Sequence, residues 1–311
     1  MTKGEHGIGA YGKIKTLLYM TRPWNWLRMQ VPATALGIFF GFYLLDSQFY
    51  TIPDEVINNF SEIIKAIVTV ACISAGGYVI NDYFDKDIDA INEPRRPIPS
   101  GIISENLAFI ASMALFGFGL LQSFLIGYLN FIIAGIWVIF AISYAYRLKR
   151  IGYGFESIIF GFMMSLTILY GSIAILHLQD IPYMPIFFFT AFMTLYMAAA
   201  HITGTLKDID GDLKAGCKTI TILLGKSKIR FLIPFMYLGS FVMLLYSAWF
   251  YLRFNFLLLL LLIGVAGLVI YSNVSLLRMS DKPYVAKALS RSKTYLYAIF
   301  LIMVIQFVFV S

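Results

Sequence analysis

The chain has 311 residues, of which 59% are apolar, 17% aromatic and only 13% charged, and its formal net charge is +7. A soluble domain of this length cannot bury so much apolar surface, so the composition excludes that class and points to a polytopic helical membrane protein. The two cysteines, Cys72 and Cys217, have no CxxC or Cys/His spacing, which argues against zinc or disulfide architecture.

In chain order, the first 22 residues are polar and basic and lack the apolar core of a cleavable signal, so the first span is expected to direct insertion. Apolar runs then predict an all-α fold of about nine transmembrane helices, at 24–46, 60–80, 104–127, 129–146, 155–177, 184–205, 229–251, 254–277 and 293–310. The connections around Asn130 and Arg253 are short, which makes their flanking helices antiparallel neighbours. Residues 1–311 read as one transmembrane domain, with 1–21 as a cytoplasmic N-terminal segment.

Charge orients the bundle. With the N-terminus in the cytoplasm, all but Lys65 and Arg253 of the 24 Lys and Arg residues fall on the cytoplasmic side. The expected location is therefore the cell membrane, multi-pass, with the C-terminus outside. Insertion into a lipid bilayer explains the basic excess, and no nucleic-acid partner is expected. The inner connections after spans two and six are long, charged and rich in Gly and Pro, which places function at the cytoplasmic end.

Span two leads into Asn81-Asp82-Tyr83-Phe84-Asp85-Lys86-Asp87-Ile88-Asp89. Ionised carboxylates at a bilayer boundary are costly unless paired or metal-bound. On a continuing helix Asn81, Asp85 and Asp89 share one face, Asp82 joins it from the side, and Asp87 points elsewhere. A solvated acidic helix end is the alternative for this stretch alone. Span six ends in a second cluster, Lys207-Asp208-Ile209-Asp210-Gly211-Asp212, in which Asp208 and Asp212 share a face. Both clusters lie at the same end of the bundle and are expected to face each other across one cavity. Such oxygen-rich jaws suit Mg²⁺, whose remaining positions can take phosphate oxygens.

Basic residues accompany both clusters. Arg22 lies in Arg22-Pro23-Trp24-Asn25, Arg96 in Arg95-Arg96-Pro97-Ile98-Pro99-Ser100-Gly101, and Lys149 in Tyr144-Ala145-Tyr146-Arg147-Leu148-Lys149-Arg150. Lys207 stands beside the second cluster, with Lys214 and Lys218 beyond it. Carboxylates with metal, ringed by Arg and Lys, bind a diphosphate and stabilise it as a leaving group. A polyprenyl diphosphate fits a membrane site of this kind: its head meets the metal, and aromatic rings shield the allylic cation left behind. Three further residues carry open readings. His201 is an interior hydrogen-bonding group or a base, Glu156 faces the interior or the interface, and Asn25 caps the first helix or reaches substrate. No GxxxxGK[ST] or GxGxxG loop is present, so nucleotide-driven transport and dinucleotide chemistry are not expected in their usual forms.

Asn81-Asp82-x-x-Asp85-x-x-x-Asp89, the sequel Arg96-Pro97-Ile98-Pro99-Ser100-Gly101 and the later Asp208-x-x-x-Asp212 resemble the UbiA superfamily of intramembrane prenyltransferases, over nearly the whole chain. The resemblance implies a nine-helix bundle around a central cavity that opens sideways to lipid. It implies two Mg²⁺ ions held by Asn81, Asp85 and Asp89 on one side and by Asp208 and Asp212 on the other, with Asp82 close by. By the same resemblance Arg22, Lys149 and Tyr144 would contact the diphosphate or line the chamber; Arg96 and Lys207, beside the motifs, and Asn25 are expected substrate contacts from their positions in the sequence. Within the superfamily, Ile80 to Asp85, Glu93 to Gly101 and Tyr144 to Arg150 look most like the archaeal synthases that transfer a geranylgeranyl group to geranylgeranylglyceryl phosphate in ether-lipid synthesis. His201 to Thr205 departs from the Arg-Glu pair of that branch, and Lys207 to Asp212 is closer to the quinone, tocopherol and chlorophyll branches, so an aromatic lipophilic acceptor is the alternative. A reading from another class is a secondary transporter using intramembrane carboxylates, but its charges would lie near mid-bilayer on broken helices. A prenyl-diphosphate cyclase on the same scaffold is a third.

Overall fold

The computed structural model describes residues 9–45, 56–151, 155–176, 183–206, 209–214, 216–250, 254–277 and 282–307, and among these there is no strand. The helices are α1 Ala10–Met20, α2 Pro23–Arg28, α3 Gln30–Leu45, α4 Phe60–Asn92, α5 Glu105–Ile126, α6 Tyr128–Ser143, α7 Glu156–Ile173, α8 Tyr183–Thr205, α9 Ile209–Lys214, α10 Ile220–Phe250, α11 Phe256–Leu277 and α12 Lys282–Ile305. A π-helical turn, Tyr144–Leu148, and a short helical turn, Lys149–Ile151, follow α6. Among the described residues, eight helices are each long and apolar enough to cross a bilayer. The ninth candidate is the bent pair of Ala10–Arg28 with Gln30–Leu44, at 42°.

That bend corrects the first predicted span, 24–46, which was expected to run unbroken. Pro32 lies in the first turn of α3, where its ring excludes the carbonyl of Arg28 and offers it no N–H. The helix breaks at Met29, and the Tyr297 hydroxyl on α12 donates to Arg28 O instead, at 2.7 Å.

The helix of span two continues through the acidic motif to Asn92, as the shared face of Asn81, Asp85 and Asp89 requires. Two other boundaries shift. α10 starts at Ile220 rather than 229, across a non-helical Gly225. α12 starts at Lys282 rather than 293, because its first turns are amphipathic: Val285, Ala288 and Ser292 are buried while Lys287 and Arg291 face out. The short connection expected near Asn130 is the single residue Gly127 between α5 and α6, and the one at Arg253 lies outside the described residues.

Two apolar cores meet along α3 and α7. One contains Ile73, Ile80, Phe116, Trp137 and Leu166; the other contains Phe40, Phe189, Phe192, Tyr237, Leu262 and Met303. Small residues bring the seam together. A Cβ on Gly37 or Gly171 would overlap backbone oxygens between α3 and α7, and one on Gly161 would overlap Thr194 O of α8. Buried hydroxyls reinforce helix pairs: Ser112 donates to Gly76 O at 2.9 Å and Tyr170 to Ser123 Oγ at 2.9 Å.

Candidate active site

The first motif occupies the last three turns of α4. Asp82 and Asp89 are buried, Asn81 and Asp85 are half-buried, and Asp87 is exposed, as the helical-face reading requires. Every carboxylate on the inward face meets a cation. Arg22 donates to Asp82 at 2.6 Å, with Arg96 3.5 Å from the same oxygen, and Arg96 donates to Asp89 at 2.8 Å. Lys149 donates to Asp85 and to Asn81 Oδ1, each at 2.7 Å, while Arg150 reaches Asp85 at 3.0 Å and Phe84 O at 2.9 Å. Charges this far from bulk water require such pairing.

Each cation is delivered by a local backbone device. Arg22 is the one described non-glycine residue with positive φ (48°), sitting at the N-cap of α2 with Pro23 after it. That left-handed conformation is disfavoured for a residue with a Cβ, and here it turns the guanidinium onto Asp82 and over the Tyr78 ring, 5.3 Å from its centre. Arg96 is set by the Pro-rich turn, whose Gly101 has φ 76°. Its bond to Glu93, 2.8 Å, holds that exposed carboxyl below its usual pKa range. Lys149 follows the π turn, which re-aims side chains relative to a regular helix. Burial pushes the Lys149 ammonium down from its ordinary pKa, and Asp85 beside it opposes that shift.

Of the second motif, Lys207 and Asp208 lie outside the described residues. Asp212 is described, and its carbonyl accepts from Cys217 N at 2.9 Å. The Cys217 thiol, pushed up by burial, also feels the charges of Asp212, Arg150, Lys149 and Asp85. Asp85 of the first motif and Asp212 of the second thus both lie within electrostatic reach of Cys217. Two bonds fix the following loop: Lys218 N donates to Arg150 O at 2.7 Å, and Ile220 N donates to Glu156 Oε1 at 2.6 Å. Glu156, 1% exposed, thus faces the interior and anchors the start of α10. Asn25 does not cap α2, because Arg22 occupies that position; its side chain lines a cavity instead.

Among the described residues, no three His, Cys, Asp or Glu side chains converge closely enough to ligate a single ion. The donor set is nonetheless the one Mg²⁺ prefers, hard oxygens with few carboxylates per ion and substrate oxygens completing the shell. Asn81, Asp85, Asp89 and Asp212 fit that demand, with Asp82 beside them.

Arg22 and Asn81 of the charged cluster line one of two adjoining cavities. One, of about 190 Å³, is lined by Arg22, Asn81 and Tyr144 at one end and by Ile73, Trp137 and Met163 further in. The other, of about 580 Å³, runs between α2, α3, α8 and α12 past Asn25, Arg28, His201 and Lys293. Gln30, Tyr78, Phe160 and Met164 line both. At the junction the Tyr144 hydroxyl and His201 Nε2 are 2.9 Å apart, His201 Nδ1 is 3.0 Å from Ser157 Oγ, and Phe160 stacks on the imidazole.

Sequence reasoning did not single out Arg150, Ser157, Tyr78 or Gln30. Tyr78 precedes Asn81 by one helical turn on the same face, and Gln30 is an amide in an apolar run; both signals were available. Ser157 had none, because only the fold brings it to His201.

Residues 50–303 match the model of the UbiA prenyltransferase family. A digeranylgeranylglyceryl phosphate synthase of Saccharolobus solfataricus is 32% identical over 86% of this chain and 88% of its own length. One from Sulfurisphaera tokodaii is 34% identical over 65% and 69%. Among solved structures, one of a digeranylgeranylglyceryl phosphate synthase superposes with a TM-score of 0.73 and 26% identity, covering 95% of this chain and 99% of that one. A UbiA homologue from Archaeoglobus fulgidus, bound to GPP and Mg²⁺, gives a TM-score of 0.67 over 93% and 99% at 17% identity, which bears on the fold. The chain belongs to the UbiA family: it is a multi-span membrane prenyltransferase.

Proposed function

We propose that this prenyltransferase ionises a polyprenyl diphosphate, geranylgeranyl diphosphate as the best fit, and transfers the prenyl group to the hydroxyl of geranylgeranylglyceryl phosphate. The observation that carries the reading is the stripe Asn81, Asp82, Asp85 and Asp89, each carboxylate paired with Arg or Lys, at the mouth of an apolar cavity. The acceptor follows the synthases to which the chain is similar. Mg²⁺ held by Asn81, Asp85, Asp89, Asp208 and Asp212, with Asp82 beside them, would neutralise the diphosphate and draw electron density from its ester bond.

The chain's own residues do the rest. Arg22, Arg96, Lys149 and Lys207 bind diphosphate oxygens and hold the leaving group in place. The allylic C–O bond breaks with both electrons going to the diphosphate. Tyr144, Phe160 and Trp137 face the cation with ring electrons and exclude water. The acceptor oxygen then bonds to the allylic carbon, and its proton leaves with the diphosphate. The near-complete segregation of Lys and Arg supports a cytoplasmic N-terminus and site, with the C-terminus outside.

Purified protein in detergent, given Mg²⁺ and geranylgeranyl diphosphate with and without geranylgeranylglyceryl phosphate, tests this by diphosphate release. Acceptor-dependent release is expected. Release without any acceptor would indicate a cyclase, and release only with an aromatic acceptor would reassign the second substrate. No release with any acceptor, but ion flux in liposomes, sinks the transferase reading.

A further inference from the structure

The larger cavity has a chemistry that the diphosphate does not use. Arg28, at the end of α2, and Lys293, on α12, line it on two sides, together with Gln30 and His201, and among the described residues no acidic side chain lines it. Neither Arg28 nor Lys293 has an acidic partner among the described residues, whereas Arg22, Arg96, Lys149 and Arg150 are all paired with carboxylates. Both are exposed side chains that line the open cavity, with Arg28 also over the Trp24 ring, 5.8 Å from its centre. The bond from the Tyr297 hydroxyl to Arg28 O ties the end of α2 to α12, the two elements that carry these cations.

A second observation points the same way. Gln30 is 5% exposed, and its Oε1 has no hydrogen-bond partner among the described residues, although it lines both cavities. Its Nε2 is directed to Met164 Sδ at 3.8 Å, a weak acceptor. A buried amide oxygen left unpartnered is costly, and a hydroxyl donor would satisfy it. It stands where the diphosphate chamber opens into the cavity bearing Arg28 and Lys293, which is the place an attacking hydroxyl must occupy.

The geometry points to an acceptor site for a hydroxylated lipid phosphate monoester: Arg28 and Lys293 hold the phosphate, and Gln30 Oε1 accepts from the hydroxyl and aims its oxygen at the donor carbon. This site rests on the proposed function and adds to it the residues that choose the acceptor. Guanidinium and ammonium together suit a dianionic phosphate, and an uncharged acceptor would leave both unpaired.

The experiment compares geranylgeranylglyceryl phosphate with geranylgeranylglycerol, its dephosphorylated form, in neutral detergent. In Arg28→Gln and Lys293→Gln the KM for the phosphate is expected to rise about tenfold or more, with that for the alcohol unchanged. In Gln30→Leu, kcat/KM should fall for both acceptors, with the KM of geranylgeranyl diphosphate unchanged. Thermal stabilisation by the phosphate acceptor without donor gives a readout independent of turnover, and stabilisation by a non-ionising thiodiphosphate donor analogue shows that each variant is folded. Equal losses for both acceptors in the charge variants, or no loss in either, overturns the proposal. So does a rise in wild-type KM in anionic-lipid nanodiscs that the charge variants lack, because the cations then serve bilayer headgroups. Failure of diphosphate release in the wild type would instead count against the proposed function.

Discussion

At the scale of single residues, carboxylates two apart on α4 differ in role because the helix points them differently. Asp85 receives three bonds from Lys149, Arg150 and Asn81, while Asp87 faces solvent. Asp85→Ala and Asp212→Ala are expected to abolish turnover in a folded protein, and Asp87→Ala to retain most of it; equal loss in all three would break the helical-face argument. Glu156 makes a different kind of prediction. Its carboxylate satisfies the Ile220 N–H from a 1% exposed position, so Glu156→Ala leaves a buried donor unmet at a cost of about 1–3 kcal/mol. Thermal unfolding in detergent should show that loss, with reduced activity as the loop after Asp212 loosens. Asn81, Asp82, Asp85 and Asp89 were legible because helical periodicity decides which side chains share a face. The Glu156–Ile220 bond was not, since nothing local links positions 64 residues apart.

At the scale of elements, hydropathy located the spans because burial in lipid demands long apolar helices, and it misplaced ends wherever a helix continues on amphipathic or charged sequence. α10 begins at Ile220, ahead of Lys226 and Lys228, and α12 begins among Lys287 and Arg291, stretches that a hydropathy window discards. The break at Met29 was readable from Pro32, but its repair by Tyr297 was not. Between elements, close approach carries the packing. Gly171 lies against Thr34 of α3, so Gly171→Ala should separate α3 and α7 and cost about 1–3 kcal/mol. Gly135 in α6 has open space where a Cβ would stand, so Gly135→Ala should leave the unfolding temperature unchanged or raise it. A similar loss at both positions would mean that close approach at the α3–α7 seam does not set the effect.

At the scale of the whole molecule, the length of α4 sets where the chemistry happens. Its 33 residues extend about 50 Å, against a hydrocarbon thickness of about 30 Å. If Phe60 marks one boundary, some twenty residues cross, and the turns from Asn81 onward reach the opposite headgroup layer. The diphosphate then meets its cations at the boundary while the prenyl chain enters the apolar cavity between the two cores. This arrangement makes sidedness a consequence of charge segregation, and it can be tested without turnover. With Cys72→Ser and Cys217→Ser as background, single cysteines at the exposed positions Lys13→Cys and Asn58→Cys report opposite faces. In right-side-out vesicles an impermeant maleimide is expected to label Asn58→Cys at once, and Lys13→Cys only after lysis. The reverse pattern would put the active site outside the cell and remove the positive-inside explanation of the +7 charge. Labelling of both positions before lysis would mean that the chain inserts in two orientations.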